Sequence, residues 1–103
     1  MKKEIQWTEA QALLREKVSY GDLLCQLAEE ASEMAQAALK LRRATEPGNP
    51  TPITREKAEA ALLEEFADVL LVCSVLGLAD RGEEIAGIHI RKTKRWIRRL
   101  GDA

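Results

Sequence analysis

The chain has 103 residues, which is enough for one domain with a buried core and needs neither a disulfide framework nor a structural metal. Apolar residues make up 46% of the chain but aromatic residues only 4%, and alanine and leucine dominate the apolar content, which favours helices over strands. The 16 basic and 17 acidic residues give a net charge of -1, so the chain lacks the overall positive charge of a nucleic-acid-binding protein.

Targeting and redox signals are absent from the sequence itself. Cys25 and Cys73 lie far apart in apolar stretches, without the Cys/His spacing of a zinc site. The first residues contain no signal-peptide core, and the longest apolar run, residues 69–79, is too short to span a bilayer. We therefore expect a cytoplasmic protein with reduced thiols.

In chain order, the first predicted helix follows Thr8, where T-x-x-Q to Gln11 resembles a capping box, and it ends before Gly21. The second predicted helix covers about residues 22–44. All three prolines then fall in the segment 45–53, which we interpret as a flexible loop between two long helices.

The third predicted helix begins after Thr54 as N-cap and ends at Gly77, since glycine suits the left-handed residue that follows many helices. The fourth follows Asp80, where D-x-x-E to Glu83 is a weaker capping signal, and ends at Gly101.

The third helix is apolar on nearly every side from residue 66 to residue 76, and a helix of this kind is normally buried all round. Three other short helices are too few to cover it. The sequence therefore predicts one all-α domain, residues 1–103, built as a four-helix bundle and completed by oligomerisation, most simply as a twofold dimer.

Two carboxylate motifs lie on the two central helices. The second helix carries Glu29, Glu30 and Glu33 as E-E-x-x-E, and the third carries Glu65 and Asp68 as E-x-x-D. Residues three apart share a helix face, so antiparallel packing would bring both pairs together. Their mutual repulsion is relieved by a hard divalent cation, Mg²⁺ or Mn²⁺, or else by buried salt bridges to lysine or arginine.

The last helix is strongly basic. Lys92, Arg95 and Arg99 share one side of it, which predicts phosphate binding next to the carboxylates. One alternative is a solvated face that complements the helix dipole. A nucleic-acid surface is a rival interpretation, but only Trp96 offers an aromatic ring nearby.

The motifs Glu-Glu-Ala-Ser-Glu at 29–33 and Glu-Phe-Ala-Asp at 65–68, on two long helices of a small helical chain, resemble those of the MazG-like all-alpha nucleoside triphosphate pyrophosphohydrolases. The resemblance extends over about residues 20–100. It implies a magnesium-dependent enzyme that hydrolyses nucleoside triphosphates, deoxy or ribo, to the monophosphate and pyrophosphate. It also implies a homodimer or homotetramer.

The resemblance implies a role for individual residues. The metal ligands would be Glu30, Glu33, Glu65 and Asp68, and the catalytic carboxylates would be Glu29 and Glu30. Phosphate would be held by Lys92 and Arg99, with Arg95 on the same side of the helix. Apart from the resemblance, Gln26, one turn before Glu30 on the same helix face, and Trp7 are candidates for contacting the nucleoside, with Trp7 as a core residue the alternative.

The expected partner is thus a nucleoside triphosphate, with no nucleic acid and no membrane. The alternative is a non-catalytic nucleotide-binding protein or a helical dimerisation module.

Overall fold

A computed structural model of the chain describes residues 7–46, 48 and 51–101, apart from the side chains of Trp7 and Thr8. Its elements are α1 (Trp7–Lys17), α2 (Tyr20–Thr45), α3 (Arg55–Val75), a short 3₁₀ helix (Leu78–Asp80) and α4 (Gly82–Arg99). The all-α, four-helix prediction is therefore confirmed for the described part of the chain. None of these helices is long and apolar enough to cross a membrane.

Side-chain caps define two of the helix starts. Ser19 precedes α2, and its side chain accepts a hydrogen bond of 3.1 Å from the backbone N–H of Asp22. Gly21 therefore lies inside the first turn of α2, and the prediction that it separates the first two helices is wrong. Ser19 determines where α2 begins because its side-chain oxygen accepts a hydrogen bond from a first-turn N–H that has no partner within the helix.

The limits of α3 agree with the sequence. Thr54 is its N-cap and accepts a hydrogen bond of 3.2 Å from the N–H of Lys57. Gly77 adopts the left-handed conformation, with φ of 82°, directly after the C-cap Leu76. A side chain at this position would strain the backbone, which is why glycine ends the helix here.

The predicted capping of α4 by Asp80 is wrong, and the predicted capping by Thr8 depends on a side chain that lies outside the described residues. Thr8 lies within α1, which begins at Trp7, and Asp80 belongs to the 3₁₀ helix. The N-cap of α4 is Arg81, which makes no side-chain capping hydrogen bond. The Asp80 carboxylate instead lies 3.6 Å from the guanidinium of Arg15 on α1. The predicted loop at 45–53 contains Pro47, Asn49 and Pro50, which lie outside the described residues.

The centre of the fold is the antiparallel pair α2 and α3. Near the start of α2, Leu23 lies beside Val72 and Val75, and near its end Leu41 lies beside Leu62. Helix α1 packs against the end of α3, where Arg15 Nε donates a hydrogen bond of 2.6 Å to the carbonyl of Val75. This pairing places the middle of α2 opposite the middle of α3.

The core of the single chain is small. Its buried apolar residues in the described part are Leu23, Ala58, Val72 and Val75. The radius of gyration is 17.9 Å, whereas a compact domain of this length has about 13 Å. The accessible surface is 8600 Å², against about 5,800 Å² for a compact monomer of the same mass. One chain therefore leaves much apolar surface uncovered, as expected for α3.

Candidate metal centre and its two grooves

The antiparallel packing brings carboxylates from α2 and α3 together. Glu30 and Glu33, one turn apart on α2, lie opposite Glu65 on α3. One oxygen of each carboxylate lies within 4.8 Å of an oxygen of each of the other two. We call these three residues the carboxylate cluster. It contains three of the four residues predicted to ligate a metal.

Two oxygens of the carboxylate cluster lack partners. Oε2 of Glu30 and Oε2 of Glu65 are shielded from solvent, and neither makes a hydrogen bond within the described part of the chain. A buried carboxylate oxygen without a partner is costly in free energy. Glu33 is exposed, so the cluster is open to solvent on one side. The donor chemistry and this opening both fit a hard divalent cation.

The electrostatics of the cluster point the same way. The pKa of Glu65 is raised above its ordinary value, chiefly because its surroundings desolvate the carboxylate. The negative charges of Glu33, Asp68 and Glu30 raise this pKa further. Full ionisation of the cluster is therefore unfavourable without a counter-charge, which a bound cation supplies.

Asp68 lies beside the cluster rather than within it. Its charge acts on Glu65, and its half-buried side chain borders a groove together with Glu30. Among the described residues, no lysine or arginine nitrogen lies within 4.0 Å of the carboxylates of Glu65 or Asp68. The salt-bridge interpretation thus has no basic partner in this part of the chain.

The amide of Gln26 orients one of these carboxylates. Its Nε2 donates a hydrogen bond of 2.8 Å to Oε1 of Glu30, four residues later on α2. Glu29, in contrast, is exposed and contributes no oxygen to the carboxylate cluster. Gln26 therefore acts on the cluster directly, whereas Glu29 adjoins it only in sequence.

A mostly apolar groove of about 310 Å³ opens on one side of the cluster. Glu30, Asp68 and Gln26 border its polar end, and Asp22 also lines it. Its apolar wall comes from α1, the turn that follows α1, α2 and α3. That wall consists of Leu14, Val18, Leu23, Leu71, Val72 and Val75. We call this groove the apolar groove. Its polar end holds both the candidate nucleoside contact Gln26 and two candidate metal ligands.

A second groove of about 370 Å³ opens on the other side of the cluster. Glu33 and Glu65 border one end, and Lys40 and Arg43 supply positive charge further along α2. We call it the cationic groove. Sequence reasoning missed these two basic residues, although their spacing of seven and ten from Glu33 places all three on one helix face.

The predicted phosphate-binding residues lie elsewhere. Lys92, Arg95 and Arg99 are exposed on α4, which makes only sparse contacts with the other helices, and they border neither groove. A single chain does not bring them to the carboxylate cluster. Trp7 begins α1, but its side chain lies outside the described residues.

Comparison of the chain with protein-family models, with curated proteins and with solved structures found no significant match. A half-buried set of carboxylates, set between an apolar groove and a cationic groove, is suited to bind a cation together with an anionic organic ligand.

Proposed function

We propose that the chain is a magnesium-dependent nucleoside triphosphate pyrophosphohydrolase of the MazG-like all-alpha type. Water attacks the phosphorus nearest the nucleoside, the bond to the second phosphate breaks, and the nucleoside monophosphate and pyrophosphate leave. The observation that carries this proposal is the carboxylate cluster, with its two unpartnered oxygens, at the junction of the two grooves.

The residues present fit a bound divalent cation. Glu30, Glu33 and Glu65 would hold it, with Asp68 beside them, where its charge acts on Glu65. Oxygen ligands of this kind suit Mg²⁺, and Mn²⁺ is a natural substitute. When bound, the cation neutralises charge on phosphate oxygens and lowers the pKa of a coordinated water.

The remaining steps belong to residues of the chain. Gln26 holds the Glu30 carboxylate in one orientation through its 2.8 Å hydrogen bond. Glu29, or Glu30 where that carboxylate is not engaged with the cation, accepts the proton that the attacking water loses, because a free carboxylate is a competent general base. The apolar groove takes the nucleoside, and its wall offers apolar contacts rather than aromatic stacking.

Oligomerisation is part of the proposal. Large apolar side chains are exposed along α3, among them Leu63, Phe66 and Leu70 at 69%, 42% and 49%. A stable interface buries about 1,600 Å², and each chain exposes more than that above a compact monomer of its mass. In a homodimer or homotetramer, α4 of a neighbouring copy would bring Lys92, Arg95 and Arg99 to the phosphates.

A helical dimerisation module without turnover is the second candidate. It is favoured by the same exposed apolar side chains and by the position of the α4 cations away from the cluster within one chain. Such a module would form the oligomer but release no pyrophosphate.

The deciding experiment is incubation with Mg²⁺ and a panel of ribo- and deoxyribonucleoside triphosphates, with pyrophosphate as the readout. We expect release from at least one nucleotide, its loss in EDTA and its recovery with Mn²⁺. Absence of release from every nucleotide by folded protein would reject the enzyme and favour the module. Light scattering on the same sample measures the oligomeric state.

A further inference from the structure

The cationic groove has a built-in charge gradient. At one end it is bordered by Glu33 and Glu65 of the carboxylate cluster, and at the other by Lys40 and Arg43. At 1.5 Å per residue, the backbones of Glu33 and Lys40 are about 10 Å apart along α2. The long side chain of lysine can reach back over part of that distance, so the two ends can contact one extended ligand.

The two cations are available for such a ligand. Within the described part of the chain, neither Lys40 nor Arg43 has a carboxylate oxygen within 4.0 Å. The neighbouring Arg42 differs, because its guanidinium lies 3.2 Å from Glu46 on another face of α2. Two cations directed into one groove without carboxylate partners attract an anion more strongly than cations engaged in surface pairs.

The two grooves also differ in what they accept. The apolar groove meets the cluster at Glu30 and Asp68, and the cationic groove meets it at Glu33 and Glu65. A ligand with an apolar end, a metal-binding middle and an anionic end therefore has one favourable orientation across the cluster. Its anionic end lies over Lys40 and Arg43.

We infer that Lys40 and Arg43 hold the second and third phosphates of a triphosphate whose metal-binding part lies on the carboxylate cluster. This inference rests on the proposed function, and it gives the leaving pyrophosphate a direction, along α2 and away from the apolar groove. Both cations come from the same chain as the carboxylates. Ala61 on the opposite wall is small and leaves the groove open for the ligand.

The test is the binding of inorganic tripolyphosphate, measured by calorimetry in Mg²⁺ at fixed ionic strength. We expect the double variant Lys40→Gln/Arg43→Gln to bind about tenfold more weakly than the wild type, as the loss of charge-assisted hydrogen bonds at an open site implies. The exchange Lys40→Arg/Arg43→Lys keeps both charges and should restore most of the affinity.

The matched control is Arg42→Gln/Lys57→Gln, which removes the same net charge from exposed positions outside the groove. It should bind tripolyphosphate within about twofold of the wild type, because screened surface charges contribute little. Mn²⁺ binding without phosphate should be unchanged in both double variants. That result would show that the carboxylate cluster is intact.

Two outcomes would overturn the inference: equal tripolyphosphate affinity for the groove variant and the matched control, or no binding by the wild type. Failure of the proposed function looks different. The wild type would then bind tripolyphosphate through Lys40 and Arg43 and yet release no pyrophosphate from any nucleoside triphosphate.

Discussion

Gln26 donates a hydrogen bond of 2.8 Å to Oε1 of Glu30, while Oε2 of the same carboxylate is buried without a partner in the described structure. The amide thus fixes the rotation of the carboxylate and leaves its second oxygen for the carboxylate cluster. Groups that orient metal ligands in this way strengthen metal binding without touching the metal.

Replacement of Gln26 by methionine should therefore weaken metal binding. The change Gln26→Met keeps the length of the side chain and its helix propensity but removes the donor, so we expect about tenfold weaker Mn²⁺ binding with little change in thermal stability. Titration of metal-free protein with Mn²⁺, followed by electron paramagnetic resonance, measures the effect. Gln11→Met, the same change on a residue of α1 that borders neither groove, should bind Mn²⁺ as the wild type does; equal weakening in both variants would contradict the role of Gln26.

The raised pKa of Glu65 predicts how stability depends on pH in metal-free buffer. Because the folded protein holds this proton more tightly than the unfolded chain, the group favours folding at acidic pH, and that contribution is lost as pH rises through the raised pKa. In EDTA, the melting temperature of the wild type should fall relative to that of Glu65→Gln between the ordinary glutamate pKa and neutral pH. Saturating Mg²⁺ should reduce the difference, since binding to the folded state stabilises it.

Glu64→Gln is the control for this pH dependence, since Glu64 is an exposed neighbour for which no cluster contact is seen. Its melting curve should follow that of the wild type at every pH. If the melting temperature of Glu65→Gln also follows that of the wild type at every pH, the cluster does not destabilise the ionised carboxylate of Glu65.

Replacing Asp68 and replacing Glu29 should have different effects on activity and metal binding. Asp68→Asn should abolish pyrophosphate release while keeping or raising the metal-free melting temperature, because it removes one of the charges that repel Glu65. Glu29→Gln, at an exposed position outside the cluster, should lower kcat but leave Mn²⁺ affinity unchanged. A large loss of stability in Asp68→Asn would instead indicate a structural carboxylate whose partner has been lost.

Much of the fold follows from local chemistry that the sequence displays. The hydroxyl of Thr54 and the left-handed Gly77 are local features, so the limits of α3 were predictable. The capping hydroxyl of Ser19 is equally local, but the nearby Gly21 is also typical of a helix end. The predicted boundary between α1 and α2 therefore fell at Gly21 instead of Ser19. Asp80 does not cap α4 because it belongs to the 3₁₀ helix and Arg81 separates it from the first residue of α4.

The candidate site divides in the same way. The meeting of Glu30 and Glu33 with Glu65 follows from helix spacing and antiparallel packing, both of which the sequence indicates. The roles of Lys40 and Arg43 depend on which side of α2 faces a groove, and that is decided by how α3 packs. The basic stretch of α4 has more positive charges in sequence, so phosphate binding was predicted there. The number of charges in a helix does not determine how far that helix lies from the carboxylate cluster.

Arg15 joins three parts of the fold, and its replacement should be costly. It donates to the carbonyls of Val75 at 2.6 Å and Ser74 at 3.0 Å at the end of α3, and its guanidinium lies 3.6 Å from the carboxylate of Asp80. We expect Arg15→Met to lower the free energy of unfolding by about 1–2 kcal/mol, after allowance for its partial exposure. Urea denaturation measures this change.

Arg55→Met is the control, because Arg55 pairs with Glu59 on the exposed surface of a single helix, at 2.9 Å. Such a pair contributes about 0.3–0.5 kcal/mol. Equal losses in the two variants would show that the hydrogen bonds to the end of α3 add nothing to stability.

The line of exposed apolar side chains on α3 predicts how the oligomer dissociates. Phe66 and Leu70 lie four residues apart on one face, 42% and 49% exposed. If a second copy covers this face, Phe66→Glu should weaken association roughly 30-fold, corresponding to about 2 kcal/mol of lost apolar burial. Sedimentation over a range of concentrations gives the dissociation constant, and Glu64→Lys, an exposed charge change on the same helix, should leave it nearly unchanged.

Since α4 cations from a neighbouring copy are proposed to reach the phosphates, pyrophosphate release should fall with dissociation and recover at high protein concentration. Release that is independent of concentration in dissociated Phe66→Glu would show that one chain contains the complete site.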